Sequence, residues 1–551
     1  MPFSRQVVGS HRVKLIEILL LFTMMITLPC FGSSLRHLSL QSAQRSSSAS
    51  LCKALSYTTK TRLFATTSSS SSFELAHRLD GLDMPTVWHE FSPLANQHGS
   101  INLGQGFPDW DPPAFCISSM LKSIDPAQGG AYRHANQYAR SYAHMPLATV
   151  LANDYNERWQ QPRKDGTPSN IPIINPESMI ATGVGCTNVL FCALQGLLNP
   201  GDEVILLEPY FDIYSSQVRM AGGTPVFVPL RPSKATETPN KSRHRNANDV
   251  FTLDLDELQA AMTSKTKVVL INTPHNPTGK MFTRTELEGI AKIVLNHKQG
   301  PPITVICDEV YEHIVFDPEE DVDDDTDTIE HISMASISPE VFQQTLTLSS
   351  SGKTFSCTGW KVGWAIGPPH LVKAVYAVQQ WVNFSVATPN QDAIAQALEI
   401  AKTQPYVDPK KSDLVYDNYY LYLKAEYQRK RQLLIDALDQ EGVNMNPIVP
   451  PGGFFIMADT SNIDLPDAYR LESPTEASPK LTSTDGGTVM PHDWALCRWL
   501  TKEVGVTAIP PSAFYSPPNL PLAANFARFA FCKSDDTLRE AHKRLQSYFG
   551  S

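Results

Sequence analysis

Between about Ile180 and Trp381 the chain keeps repeating one pattern, a short unbroken apolar run followed by a stretch with helical spacing. The runs are "EVILLE" (203–208), "TPVFVPL" (224–230), "KVVLIN" (267–272), "ITVICD" (303–308) and "TLTLS" (345–349). A strand with one wet face alternates apolar and polar residues, whereas an unbroken apolar run is buried on both sides. Parallel strands also need long crossovers. The intervening segments supply them, as in "FTRTELEGIAKIV" (282–294), where Thr283 and Glu286 have capping-box spacing at a helix start. A further helix is expected from about His370 to Trp381. These features predict an α/β chain with a mainly parallel central sheet and helices on both faces.

Such sheets bind ligands outside the carboxyl ends of their strands. Three consecutive runs end in polar residues there. Asn276 lies just past "KVVLIN", Asp308 closes "ITVICD" with Tyr311 one helical step beyond, and Lys353 comes after "TLTLS" in "SSSGK". Lys353 admits two chemical readings. A nucleotide-binding loop needs a glycine five residues before Gly352, but Thr347 stands there and no glycine lies between. The other reading is a lysine that bonds covalently to an aldehyde cofactor. Upstream, "ATGVGCTNVLFCALQGL" (181–197) places Gly183 and Gly185 before an apolar helix opened by Cys186, Thr187 and Asn188. Backbone amides at such a helix start can hold an anion.

Residues 1 to about 72 have a different character. They carry eight Lys and Arg against one acid, Glu17, and combine the apolar run "ILLLFTMMITL" with a Ser-rich, basic stretch. A signal-like core followed by a transit-like segment is expected to direct the chain to an organelle, a plastid before a mitochondrion, and to be removed. Of 46 basic and 56 acidic residues, removal of eight and one leaves a net charge of about −17. That balance argues against nucleic acid as a partner. The nine cysteines are scattered without metal-ligand spacing, and no run is long enough for a membrane helix. Polar breaks at 231–249, 317–330 and 470–487 are expected to be solvated loops.

Seven segments carry a resemblance to a known family. They are "INLGQGFPD", "GDEVILLEPYFDIY", "NTPHNPTGK", "CDEVYEHIVFD", "SSSGKTFSCTGWKVGW", "GGFFIMAD" and "ARFAFCK". In order and spacing the chain resembles, over about residues 74–550, the fold-type I pyridoxal-phosphate (PLP) aminotransferases of class I/II. Within them it is similar to the kynurenine aminotransferase, glutamine transaminase K and cysteine-S-conjugate β-lyase branch. The resemblance implies the fold-type I architecture, with a smaller α+β domain beside the central sheet. Boundaries are expected at 73–120 for an N-terminal arm with part of the small domain, 121–400 for the large PLP-binding domain and 401–551 for the C-terminal small domain.

The resemblance also implies roles. Lys353 would hold the cofactor aldehyde and move the Cα proton. Asp308 would pair with the pyridine nitrogen, Asn276 and Tyr311 would bond the ring hydroxyl, and Phe211 would stack on the ring. Cys186, Thr187, Ser350 and Lys361 would hold the phosphate. Arg528 would grip the substrate carboxylate, with Trp88, Gly104, Asn276 and Phe455 around it. Tyr138 and Phe384 would reach into a neighbouring subunit's site, which implies a homodimer. Three departures, Thr187 in place of an aromatic residue, Ser385 in place of His, and Ala143 in the turn after Tyr138, bear on which amino acid is preferred. The implied reaction moves an amino group from an aromatic or sulfur-bearing amino acid to a 2-oxo acid. A carbon–sulfur β-lyase is the nearest rival, and a non-catalytic PLP-binding regulator a remote one.

Overall fold

The computed structural model describes residues 75–125, 127, 135–162, 166–233, 244–317, 331–482 and 486–550. The expected presequence and most of the acidic 317–330 segment lie outside these residues. Seven strands form the central sheet. They are β1 (Ile180–Val184), β2 (Glu203–Glu208), β3 (Thr224–Pro229), β4 (Thr266–Asn272), β5 (Thr304–Asp308), β6 (Thr345–Ser350) and β7 (Val362–Ile366), in the spatial order β1-β7-β6-β5-β4-β2-β3. The run from β3 to β6 is parallel throughout.

Period-two alternation explains why these runs read as unbroken apolar sequence. Val204, Leu206, Val268, Leu270 and Ile306 pack into one buried cluster, while their neighbours Ile205, Leu207, Val269, Ile271 and Val305 pack into another on the opposite face. Each fully buried aliphatic side chain contributes about 1.5–3 kcal/mol.

Strand β7 is antiparallel to both β6 and β1, an addition to the expected strands. The link from Ser350 to Val362 falls short of the dozen residues that a parallel crossover takes, so the chain turns back instead.

The helices that frame the site are α1 (Val87–His98), α2 (Met145–Trp159), α3 (Cys186–Leu197), α4 (Ile213–Met220), α5 (Arg284–Asn296), α6 (Pro369–Val382), α7 (Thr388–Thr403), α8 (Tyr419–Leu438), α9 (His492–Trp499) and α10 (Asp535–Phe549). The capping box opens α5 as expected, with Thr283 Oγ1 accepting from the Glu286 amide at 3.2 Å and Glu286 Oε2 accepting from the Thr283 amide at 2.9 Å. A smaller antiparallel sheet joins β8 (Asn446–Ile448), β9 (Phe455–Asp459) and β10 (Phe526–Ala530). Together with α8 and α10 it forms the lesser α+β part of the molecule.

The described residues of the 470–487 segment are mostly exposed, as expected of a solvated loop, but the segment is also anchored to the protein. Glu472 pairs with Arg498 at 2.8 Å and Lys502 at 3.1 Å, Thr475 Oγ1 donates to Glu90 Oε2, and Ser478 is buried. Glu472 and Thr475 thus tie the segment to the α9 region and α1. The described ends of 231–249 are also structured, with Arg231–Pro232 paired to Phe251–Thr252 and Ala247 buried.

Candidate active site

The site begins with a register. Strands β4 and β5 pair Asn272 with Asp308, and the Asn272 side-chain amide fixes the loop beyond it. Its Nδ2 donates to the Asp308 carbonyl at 2.8 Å, and its Oδ1 accepts from the Asn276 amide at 2.7 Å. The loop after β4 is thereby folded back over the strand ends, bringing Asn276 toward the end of β5.

Asp308 is buried, and burial pushes its carboxyl above the ordinary range. Oδ2 accepts from the Tyr214 hydroxyl at 2.7 Å and Oδ1 from the Val310 amide at 3.3 Å, while Cys186 Sγ lies 3.8 Å from Oδ1. All of these partners are neutral. A buried carboxylate held this way is ready for a cation.

Lys353 sits in the short helix Ser351–Thr354 at the end of β6. Its Nζ donates to the Gly106 carbonyl at 2.9 Å and lies 5.2 Å from the centre of the Phe454 ring. Desolvation holds its ammonium below the usual lysine range, which favours the free amine.

The N-terminus of α3 forms an anion cradle. Gly185 adopts φ +76°, and a Cβ there would lie 3.1 Å from Lys361 Nζ. A Cβ at Gly363 would lie 2.4 Å from the Cys186 amide nitrogen, so both glycines leave room for backbone approach.

Arg528 emerges from β10 and is buried. Its Nη1 donates to Asn276 Oδ1 at 3.0 Å and Nη2 to the Gly104 carbonyl at 2.6 Å, while Nε has no hydrogen-bond partner among the described residues. The rings of Phe455, Phe514 and Trp88 stand 4.3, 4.9 and 5.5 Å from its guanidinium carbon. Burial lowers its pKa to about 10, which leaves it charged at neutral pH.

A cavity of about 560 Å³ connects these groups. Lys353, Asp308, Tyr311, Asn276, Phe211 and Arg528 line it, as do Cys186, Thr187, Ser350, Lys361, Trp88 and Phe455. Gly104 is not in the lining and acts through its carbonyl on Arg528. Tyr138 and Phe384 lie outside the cavity. They are 81% and 53% exposed, and their rings meet edge to face at 5.2 Å.

Four contributors carried no signal of residue type in the sequence. They are Tyr214, Asn272, the Gly106 carbonyl, and Asp212, whose Oδ2 accepts from Trp88 Nε1 at 2.7 Å. Tyr214 alone was within reach of sequence reasoning, three residues past Phe211 on a helix that starts at a strand end.

The donor set fits PLP. Asp308 offers an anion with neutral partners, Lys353 offers a desolvated amine, and the α3 cradle with Lys361 offers an anion site. Residues 99–545 match the family described as aminotransferase class I and II. The chain belongs to that family. The kynurenine–oxoglutarate transaminase of Dictyostelium discoideum is 41% identical to this aminotransferase over 461 residues, covering 84% of this chain and 93% of the relative. Among solved structures, Bna3p of Saccharomyces cerevisiae superposes with a TM-score of 0.70 at 30% identity, covering 86% of this chain and 98% of that one. The methionine aminotransferase YbdL of Escherichia coli superposes with a TM-score of 0.65 at 29% identity, covering 86% and 99%. This aminotransferase uses PLP and moves amino groups between amino acids and 2-oxo acids. Among the described residues, no helix is long and apolar enough to cross a membrane.

Proposed function

We propose that the preferred amino donors are aromatic or sulfur-bearing amino acids, kynurenine and glutamine-like ones foremost, with a 2-oxo acid as acceptor. The cavity's cation inventory carries this reading. Among the described residues, three basic side chains line it, Lys353, Lys361 and Arg528. With Lys353 committed to the aldehyde and Lys361 to the phosphate, one guanidinium is left for one carboxylate. Arg528 stands among the aromatic rings of Trp88, Phe455 and Phe514. A substrate with a single carboxylate and an apolar or aromatic side chain suits such walls better than a dicarboxylate does. The names of the Dictyostelium and E. coli relatives, one acting on kynurenine and one on methionine, support the same class.

Bound PLP supplies a carbonyl carbon to receive the amino group and a ring that takes up the electron pair left when Cα loses its proton. The Lys353 amine, whose charged form desolvation disfavours, would take and return that proton. Asp308 would hold a proton at the ring nitrogen, and Tyr214 steadies the carboxylate through Oδ2. Asn276, its oxygen engaged by Arg528, keeps its amide nitrogen for the ring hydroxyl together with Tyr311. Phe211 would stack on the ring, while the Cys186 and Thr187 amides, Ser350 and Lys361 would hold the phosphate. The guanidinium has five N–H donors and spends two on Asn276 and Gly104, leaving others for the substrate carboxylate.

A homodimer fits the exposed apolar surface around Tyr138, Phe384 and Trp381, the last 84% exposed. The composition of residues 1–72 supports delivery to an organelle, a plastid first. Incubation with kynurenine, glutamine, methionine and aspartate against several 2-oxo acids tests the donor class, with pyruvate and ammonia assayed separately to detect β-elimination. A preference for aspartate would overturn the reading. Pyruvate and ammonia released in equal amounts from cysteine conjugates, without amino transfer, would replace it with the lyase.

A further inference from the structure

Behind the site lies a buried polar network that the chemistry above leaves unused, centred on Glu312. Its carboxylate is buried and takes three donors. Ser349 Oγ donates to Oε1 at 2.5 Å, and Arg158 Nη1 donates to Oε2 at 2.8 Å. The Tyr155 hydroxyl is shared between Oε1 at 2.8 Å and Oε2 at 3.1 Å. Burial pushes the carboxyl up, but Arg158 and then its other neighbours outweigh that, leaving Glu312 below the ordinary carboxylate range.

The place of these bonds gives them their interest. The register between β5 and β6 ends at the pair Asp308–Leu348, followed by one bond from the Glu309 amide to the Leu348 carbonyl at 2.8 Å. Past that point the Glu312–Ser349 bond joins the two chains once more. The tie closes into a ring. Ser349 stands opposite Trp364 in the β6–β7 register, Trp364 Nε1 donates to the Tyr155 hydroxyl oxygen at 3.2 Å, and that hydroxyl donates to Glu312. All four side chains are buried. Arg158 adds a second bond from α2, and its Nε is itself held by Asp154 at 3.0 Å.

Neither Glu312 nor Ser349 borders the active-site cavity, yet each adjoins residues that do. Glu312 comes directly after Tyr311 and four residues after Asp308, while Ser349 comes directly before Ser350 and four residues before Lys353. One PLP molecule must meet both groups at once, with its ring nitrogen at the first and its phosphate and aldehyde at the second. The separation of the two strand ends therefore decides how well the cofactor fits.

We propose that Glu312 and Ser349 are positioning residues, which hold the ring-nitrogen end of the cofactor site, Asp308 and Tyr311, at a set distance from its phosphate and lysine end, Ser350 and Lys353. Arg158 neutralises Glu312 and serves stability without setting that distance. This role is independent of which amino acid is the donor.

A positioning network and a purely structural one differ in the order of their mutational effects. Arg158→Met strips a buried carboxylate of its bonded cation but leaves the Ser349 tie, so it should lower Tm more than Ser349→Ala, which removes one neutral hydroxyl. For the cofactor the order should reverse. Titrated with PLP, apo-protein carrying Ser349→Ala should show a dissociation constant at least about threefold above wild type, from the loss of a hydrogen bond to a charged group. The circular dichroism of its bound cofactor should change as well. Arg158→Met should bind PLP within about twofold of wild type, because its hydrogen bond does not join the two strand ends. A Ser349→Ala protein with wild-type cofactor affinity, or with lost affinity but unaltered dichroism, overturns the proposal. A loss of affinity in Arg158→Met equal to or larger than that in Ser349→Ala overturns it too, since the effects would then follow stability. If Arg158→Met does not fold, the Ser349→Ala titration decides alone.

Discussion

Tyr214→Phe tests the cofactor clamp at a single joint, because it deletes one oxygen and leaves the ring. The Tyr214 hydroxyl donates to Asp308 Oδ2 at 2.7 Å, and both residues are buried. Burial raises the Asp308 carboxyl, and Tyr214 is the foremost group pulling it back down. A hydrogen bond to a charged group contributes about 1.5–3 kcal/mol. At about 1.4 kcal/mol per decade, its loss makes an ionised Asp308 opposite a ring cation roughly ten- to hundredfold less favourable. The variant's dissociation constant for PLP, measured by titrating apo-protein near neutral pH and reading cofactor absorbance, should rise by that factor. The Phe211–Tyr214 edge-to-face contact at 5.7 Å needs only the ring, so the fold should persist. The apo-protein should lose stability mainly where the Asp308 carboxyl is ionised and less as the pH falls, since a carboxyl that has lost its donor can relieve the cost by taking up a proton. An unchanged PLP affinity, alongside a large loss in Asp308→Asn, would show that Tyr214 does not support the ring-nitrogen contact.

The same geometry sets three further outcomes. Arg528→Ala should lower kcat/KM for amino acids by about thirtyfold or more, from the roughly 2–5 kcal/mol of a buried charged pair, while decarboxylated amines are indifferent and Arg528→Lys recovers part. Borohydride reduction and peptide mapping should find the cofactor on Lys353, and Lys353→Ala protein should fold without covalent attachment; label on Lys361 would reverse the assignment. Asp493 is buried with its pKa raised from 3.8 to about 7, so the folded protein holds a proton through that window that the unfolded chain releases. Its contribution is therefore fully present below about pH 4 and lost as pH rises to about 7, by up to about 4 kcal/mol. Asp493→Asn should flatten the change in unfolding free energy between about pH 4 and 7, and a variant whose pH dependence matched wild type would refute the assignment.

What the sequence revealed and what it concealed divide along a physical line. Unbroken apolar runs have one economical solution, a sheet buried on both faces, and a polar residue at the end of such a run must leave the core at the sheet's ligand-binding edge. Asn276, Asp308 and Lys353 were legible on that ground, because side-chain type and strand position together restrict what they can do. Strand β7 escaped because "VGWAI" is five residues long and comes after a turn, with neither alternation nor a crossover to announce it. Tyr214, Asn272 and the Gly106 carbonyl escaped for another reason. Each acts through a hydrogen bond whose partner is remote in sequence, Tyr214 being 94 residues from Asp308 and Gly106 being 247 from Lys353. No local pattern encodes such a pair. The 470–487 segment is the same lesson in reverse. Its polarity read as solvation, and most of its described residues are exposed, yet Glu472 and Thr475 are matched to Arg498, Lys502 and Glu90 on α1 and the α9 region. Polar composition therefore states how many hydrogen bonds a segment must make, and only the fold decides whether water or protein makes them.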